Sequence, residues 1–201
     1  MYLDSRFHGN DTCIMNDFID IKVLIQPTPN PNAYKFIVNR EVKANGNVTY
    51  NTPEECGDNF LAKTLFSVEG IQQLYFFENI ITATFGDGID LMAAEQEGID
   101  IIKNNILDHD PNFKVAGAEP KRRDNLSPDV KQIEEILDRT IRPGLQGDGG
   151  DLEIVSFIDN ELAIRYQGAC GTCPSSTMGT LMAIQGILKD EFDPDIEVIP
   201  V

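Results

Sequence analysis

The sequence has no apolar run that approaches the roughly 18 uninterrupted residues needed by a membrane-spanning helix. Basic residues are also scarce, since 16 Lys and Arg stand against 33 Asp and Glu and the formal net charge is −17. Nucleic-acid phosphates and anionic membrane surfaces attract surfaces rich in Lys and Arg, so this deficit argues against both partners. We therefore predict a soluble protein that binds neither nucleic acid nor membranes.

Cysteine is rare as well, with four in 201 residues, at Cys13, Cys56, Cys170 and Cys173. A secreted domain built on disulfides is smaller and richer in cysteine. The first residues contain acids, one Arg and no apolar core, unlike a secretory signal or a mitochondrial targeting helix. We predict a disordered leader at residues 1–17, with Met15 as an alternative start, and a reducing cytoplasm in which the thiols bind metal or serve redox chemistry.

The pattern at residues 18–109 predicts a β-rich α+β domain. Apolar runs at 19–25 and 34–38 flank a proline-rich turn. Two further β-rich runs, 73–77 and 80–85, are separated by two turn-forming residues and predict a hairpin.

Helices are predicted in this first domain at 59–68 and 90–107 from the spacing of apolar residues. We expect four side chains of the second helix to face the core: Met92, Ile99, Ile102 and Ile106. Residues 110–126 lack clear periodicity and carry two prolines, one glycine and three consecutive basic residues. This segment is interpreted as a linker.

A second α+β domain is predicted at residues 127–201. Ser127 suits the N-cap of a helix and Pro128 its first position, while Arg142 and Pro143 should end that helix because the residue before proline avoids helical geometry. A glycine-rich loop follows.

Strands at 152–158 and 161–167 should then form a hairpin around Asp159 and Asn160, which tolerate positive φ. A helix from Pro174 to about residue 189 should bury Met178, Leu181, Met182 and Leu188, the two methionines being interpreted as core rather than as ligands. The predicted fold class is α+β, with two small domains, the second in the order helix, strand, strand, cysteine loop, helix.

The loop between the last strand and helix contains the pair Cys170 and Cys173. Two intervening residues let both sulfurs turn toward one centre, as in zinc knuckles and iron–sulfur sites, and the small residues around them let the backbone pass close to an inorganic core. Pro174 should open the next helix, whose positive end lowers a thiol pKa and favours the metal-binding thiolate. Cys170 and Cys173 are therefore the candidate metal and cofactor ligands.

The number of ligands in one chain is too small for a usual site. Tetrahedral zinc or a cubane cluster takes about four protein ligands, and the loop offers two. The other candidates are isolated in the sequence: His8, Cys13, Cys56 and His109. A second copy of the loop from another chain is the simplest completion, and a cluster shared at such an interface is exposed and labile.

Two sets of motifs resemble the Nfu iron–sulfur scaffold family. The segments DGGD at 148–151 and GACGTCPSST at 168–177 resemble the NifU-type C-terminal domain of that family. QPTPNPNAYKF at 26–36 and FLAKTLFSVEGI at 60–71 resemble its N-terminal domain. The similarity covers residues 21–201.

This resemblance implies a non-enzymatic carrier of an iron–sulfur cluster. The family implies a homodimer bridged by one 4Fe–4S cluster on paired CxxC loops, which upstream assembly machinery loads and which apo iron–sulfur recipient proteins accept. Cys170 and Cys173 fall on the ligand positions. The implied location is the cytoplasm of a bacterium, or the mitochondrial matrix if the source is eukaryotic.

Two alternatives to a cluster carrier stay open at the level of sequence. CGTC resembles the active site of a thioredoxin-like dithiol oxidoreductase, although the second domain is too short for the usual thioredoxin layout. A zinc-bridged structural module uses nearly the same chemistry. The glycines at 147–150 are interpreted as turn residues, and Asp148 and Asp151 are hypothesised to orient the cysteine loop.

Overall fold

The structure, a computed structural model, describes residues 20–114, 126–171 and 174–201. The predicted leader at 1–17, most of the predicted linker at 110–126, and Cys173 lie outside the described residues, as do the side chains at 174–177. The described residues form helices and two β-sheets, which confirms the α+β class.

An antiparallel sheet forms in residues 20–114. Its strands are β1 (Val23–Pro27), β2 (Ala33–Val38), β3 (Lys43–Tyr50), β4 (Ile71–Glu78) and β5 (Ile80–Phe85), in the order β1-β2-β5-β4-β3. The β4–β5 hairpin is confirmed, with Glu78 at a φ of 47° in the turn. The sequence did not predict β3, because this edge strand carries few apolar residues.

Two helices pack on one face of this sheet. They are α1 (Phe60–Leu65) and α2 (Leu91–Asn105), and the side chains of Asn59 and Asp90 cap their first turns by accepting bonds from backbone N–H groups. Both helix predictions are confirmed, apart from their ends. Met92 was expected in the core but is 83% exposed. It lies two residues, or about 200° of helix rotation, from Ala94, which begins the buried stripe of α2.

A three-stranded sheet forms in residues 126–171 and 174–201. Strands β6 (Gly150–Ile158) and β7 (Glu161–Gly168) are antiparallel, and β8 (Glu197–Pro200) lies parallel to β7. The predicted β6–β7 hairpin is confirmed, with Asp159 and Asn160 at φ values of 51° and 63°. The short strand β8 was not predicted.

Three helices share a hydrophobic core with this sheet: α3 (Pro128–Thr140), α4 (Arg142–Gly147) and α5 (Pro174–Glu191). Ser127 caps α3 as predicted, with its hydroxyl accepting a bond from the Val130 N–H. Helix α3 ends at Thr140, just before Arg142 and Pro143 as predicted, but a second helix that was not predicted starts at Arg142. Proline lacks only an N–H that the first turn leaves unpaired anyway, so Pro143 opens α4. The predicted loop is therefore partly helical, and only a turn at Asp148 and Gly149 separates α4 from β6.

The side of α5 that faces the core differs from the prediction. Leu188 is buried and Leu181 packs against the core, as expected, whereas Met178 is 60% and Met182 70% exposed. The core instead takes Ile184 with Leu188, one turn apart on a different side of the helix. Among the described residues, no helix has the length and apolarity to cross a membrane.

Candidate metal centre

The thiol of Cys170 lies on a tight turn that follows β7. The turn is closed by two backbone hydrogen bonds, from Gly171 N to Gly168 O at 3.1 Å and from Ala169 N to Gly149 O at 3.2 Å. The second bond ties the turn to the segment that precedes β6. Cys170 is half-buried there, while Cys173, its predicted partner, lies outside the described residues.

Gly150 lies directly against the sulfur. A β-carbon built on Gly150 would lie 2.6 Å from Cys170 Sγ and 2.6 Å from the Gln167 carbonyl oxygen. Neither distance is compatible with a side chain, so this position requires glycine for close approach. Gly149 has a φ of +84°, which explains a second glycine by turn geometry. The interpretation of these glycines as turn residues is therefore right for Gly149 and incomplete for Gly150.

Asp151 anchors the strand that carries this glycine. Its buried carboxylate accepts bonds from Leu152 N at 2.7 Å, from Gln146 Nε2 at 3.2 Å and from Arg142 Nη1 at 3.3 Å. Since buried charges are costly unless they are paired, these bonds fix the α4–β6 corner firmly. Asp151 also pairs with Gln167 in the β6–β7 ladder, three residues before Cys170. Any orienting of the cysteine turn by Asp151, as hypothesised from the sequence, would therefore act through the backbone of this ladder.

A cleft of about 330 Å³, counting its open mouth, runs beside the thiol. Its lining comes from both halves of the chain: Pro29, Asn30, Leu145, Asp148, Tyr166, Ala169, Cys170 and Thr180. The Asn30 side chain donates from Nδ2 to the Ala169 carbonyl at 3.2 Å. Sequence reasoning missed this contact between the proline-rich turn and the cysteine turn, because no local signal links positions so far apart.

The phenols near Cys170 stay protonated at neutral pH. Burial, with a smaller contribution from nearby Cys170, raises the pKa of Tyr166 to about 12. Burial also raises the pKa of Tyr75, and the charges of Asp151 and Cys170 act in the same direction. A proton on each phenol leaves the Cys170 sulfur as the candidate soft ligand in this cleft.

The other described candidate ligands lie in the core of the first unit. Burial raises the pKa of the Cys56 thiol to about 11, so it stays protonated and inert at neutral pH. His109 packs against the ring of Phe113 and donates from Nε2 to the Val42 carbonyl at 2.7 Å, and burial lowers its pKa. His8 and Cys13 lie outside the described residues. Within the described ranges, no group of three or more His, Cys, Asp and Glu side chains is placed to hold a metal ion.

Comparisons with known proteins match both halves of the chain. Residues 21–108 match the family model described as "Scaffold protein Nfu/NifU N terminal". Residues 133–199 match the model described as "NifU-like domain".

Relatives extend this similarity along most of the chain. The NFU1 iron-sulfur cluster scaffold homolog, mitochondrial, of Drosophila persimilis is 32% identical over 180 residues, which span 87% of this chain and 62% of that protein. Its Homo sapiens counterpart is 31% identical over 183 residues, spanning 86% of this chain and 68% of that protein. The solution structure of a NifU-like protein from Saccharomyces cerevisiae aligns over 59% of this chain and 100% of its own, at 18% identity and a TM-score of 0.44. The chain belongs to the Nfu family of iron–sulfur cluster scaffold proteins.

Proposed function

We propose that this protein carries an iron–sulfur cluster, held by the thiolates of Cys170 and Cys173, and passes it to apo-proteins. The observation that carries the proposal is the packing of the Cys170 sulfur against Gly150 on a turn closed by backbone bonds. Such packing holds the thiol in place against bare backbone, at the edge of the cleft that Cys170 lines. The cluster is the cargo, and the role requires no catalysis.

The ligand count favours a homodimer. One CxxC loop supplies two thiolates, whereas a 4Fe–4S cluster takes about four. The buried thiol of Cys56 and the hydrogen-bonded ring of His109 are held in the core of the first unit, which leaves a second copy of the chain as the simplest source of two more ligands. A cluster held between two subunits is exposed, so a cysteine of another protein can reach its iron atoms.

Release follows from thiolate exchange at iron. A recipient cysteine loses its proton and binds iron as the thiolate, and the departing Cys170 or Cys173 takes up a proton. The cluster keeps its oxidation state, so no external reductant is needed. Upstream assembly machinery and apo-proteins are the partners in this scheme. The site of action is the bacterial cytoplasm, or the mitochondrial matrix in a eukaryotic cell.

The organisation that suits this role is two α+β domains, at 18–109 and 127–201, joined by a linker at 110–126. The exposed methionines of α5 give the second copy a surface to contact. Met178 and Met182 lie one turn apart on the helix that begins directly after Cys173, so two chains whose loops share a cluster bring these faces close together. Flexible thioether side chains adapt well to such a contact.

Placing lysine at both methionines should weaken the cluster-bridged dimer. We expect Met178→Lys/Met182→Lys to raise the dimer dissociation constant by about tenfold or more, because two apolar contacts are lost and like charges meet across the two-fold axis. Analytical ultracentrifugation of the iron-loaded protein measures this. Met92→Lys, at a still more exposed methionine of α2, is the control and should leave the dimer unchanged. Equal dimerisation of all variants would contradict the proposed contact.

Anaerobic reconstitution of the full chain with iron and sulfide tests the function itself. We expect brown protein that sediments as a dimer with about four irons and four sulfides per two chains. Incubation with an apo iron–sulfur enzyme should then transfer the colour and restore that enzyme's activity. Iron-loaded protein that stays monomeric would contradict the shared site, and insulin reduction by the metal-free protein would favour a dithiol oxidoreductase instead.

A further inference from the structure

A row of polar side chains crosses the first sheet on the side that faces away from its helices. Strand register aligns Lys35 with Thr82, Thr82 with Tyr75, and Tyr75 with Thr49, across β2, β5, β4 and β3. Alternation along each strand puts them opposite core residues such as Phe36 and therefore on one face, here named the polar face. An outward lysine is normally solvated, yet Lys35 is only 7% exposed, and Thr82 and Tyr75 are buried.

The segments that hold Cys170 cover this face. A β-carbon built on Gly149 would lie 2.7 Å from Lys35 Cγ and 2.8 Å from Thr82 Oγ1. One built on Gly168 would lie 3.0 Å from the ring of Tyr75. Because Gly149 and Gly168 have no side chains, the backbone next to the cysteine turn packs directly against the polar face.

Hydrogen bonds fasten the two surfaces together. The Lys35 ammonium donates to the Gly147 carbonyl, and Asn47 Nδ2 donates to Asp151 Oδ2 at 2.8 Å. Asn30 adds its bond to the carbonyl of Ala169, the residue before Cys170. Each contact reaches a residue within the two segments, 147–151 and 168–170, that position the thiol.

The docked arrangement and a shared cluster compete for the same space. Bridging requires a second loop to come within roughly one cluster diameter of Cys170, with metal–sulfur bonds of about 2.3 Å. Pro29 and Asn30 form one wall of the cleft beside that thiol. A second copy, carrying its own first sheet, therefore needs this wall to move away.

We propose that the polar face binds the cysteine turn in the metal-free chain and withholds Cys170 from a second copy until the two units separate. This inference rests on the proposed function, because the competitor is the cluster-bridged pairing of two loops. The interface is suited to release. Among described residues, the hydroxyls of Thr82 and Thr84 are buried without a hydrogen-bond partner in the protein, which costs free energy that opening to water recovers.

The test compares metal-free full-length chains by the rate at which a maleimide modifies Cys170, followed by peptide mass spectrometry. Lys35→Met/Asn47→Ala removes two fastening bonds and keeps most of the lysine stem, so modification should become about fivefold faster or more. Lys103→Met/Asn104→Ala makes the same two exchanges at exposed positions of α2 and should leave the rate unchanged. Equal rates in all three folded proteins would overturn the proposal.

A general loosening of the protein could also make the modification of Cys170 faster. A second substitution, which is expected to slow the modification, controls for this. Thr82→Val keeps the β-branched shape and removes a buried hydroxyl without a partner, so it should tighten docking and slow both the modification of Cys170 and dimerisation during reconstitution by about threefold or more. Faster modification in Thr82→Val would also overturn the proposal. Altered modification rates with no cluster-bridged dimer in any protein would support docking and contradict only the carrier function.

Discussion

We expect the Cys170→Ser protein to stay colourless after anaerobic reconstitution and to bind iron only at the background level. Serine stays protonated at neutral pH, and even its alkoxide is a poor substitute for a thiolate at iron. Each subunit therefore supplies one thiolate instead of two. The symmetric dimer therefore loses two of about four ligands, which leaves too few to hold a cluster. Iron and sulfide assays and visible absorption measure the loss, and sedimentation should show monomers.

Cys56→Ser is the matched control for that experiment. Cys56 is buried in the core of the first unit, and burial raises its pKa to about 11, so its thiol contributes no thiolate at neutral pH. Its serine variant should bind as much iron as the unchanged chain, although it should unfold at a lower temperature because a polar hydroxyl enters an apolar core. Iron retained by Cys170→Ser, or lost equally in Cys56→Ser, would remove Cys170 from the ligand set.

Local rules predicted the parts of this fold that depend on neighbours in sequence. The hairpin around Asp159 and Asn160 was predictable because those residues tolerate the positive φ of its turn. Ser127 was predictable as a helix cap because the cap bond spans three residues. The candidate site could be proposed for the same reason, since the CxxC spacing is local and the motifs around it are contiguous.

Features that depend on contacts between residues far apart in the sequence could not be predicted from local patterns. The inward side of α5 follows from which face meets the second sheet, so spacing alone put Met178 and Met182 in the core although they are exposed. Strand β8 has four residues and is fixed by pairing with β7 after a helical crossover. The burial of Lys35 results from packing of one sheet against a turn more than a hundred residues away.

The close approach of Gly150 to Cys170 gives the other large effect. The full chain carrying Gly150→Ala should retain its thiols and still lose most of its cluster, by about tenfold or more in iron retained after gel filtration. The new methyl group would overlap Cys170 Sγ and the Gln167 carbonyl, each at 2.6 Å. The sulfur can swing away, but the carbonyl belongs to the β6–β7 ladder, so the strand must shift and the turn with it. Overpacking of this kind costs about 1–3 kcal/mol, which thermal unfolding will register as a fall of several degrees in Tm.

Gly144→Ala separates this steric effect from a general intolerance of alanine near the site. A β-carbon on Gly144 meets nothing within 4 Å, and the residue lies in α4, where alanine is favoured over glycine by about 1 kcal/mol. Its variant should keep the full cluster content and unfold at the same or a slightly higher temperature. Full iron retention in Gly150→Ala would show that the sulfur has room to move without cost, and close packing against Gly150 would then have no part in holding the cluster.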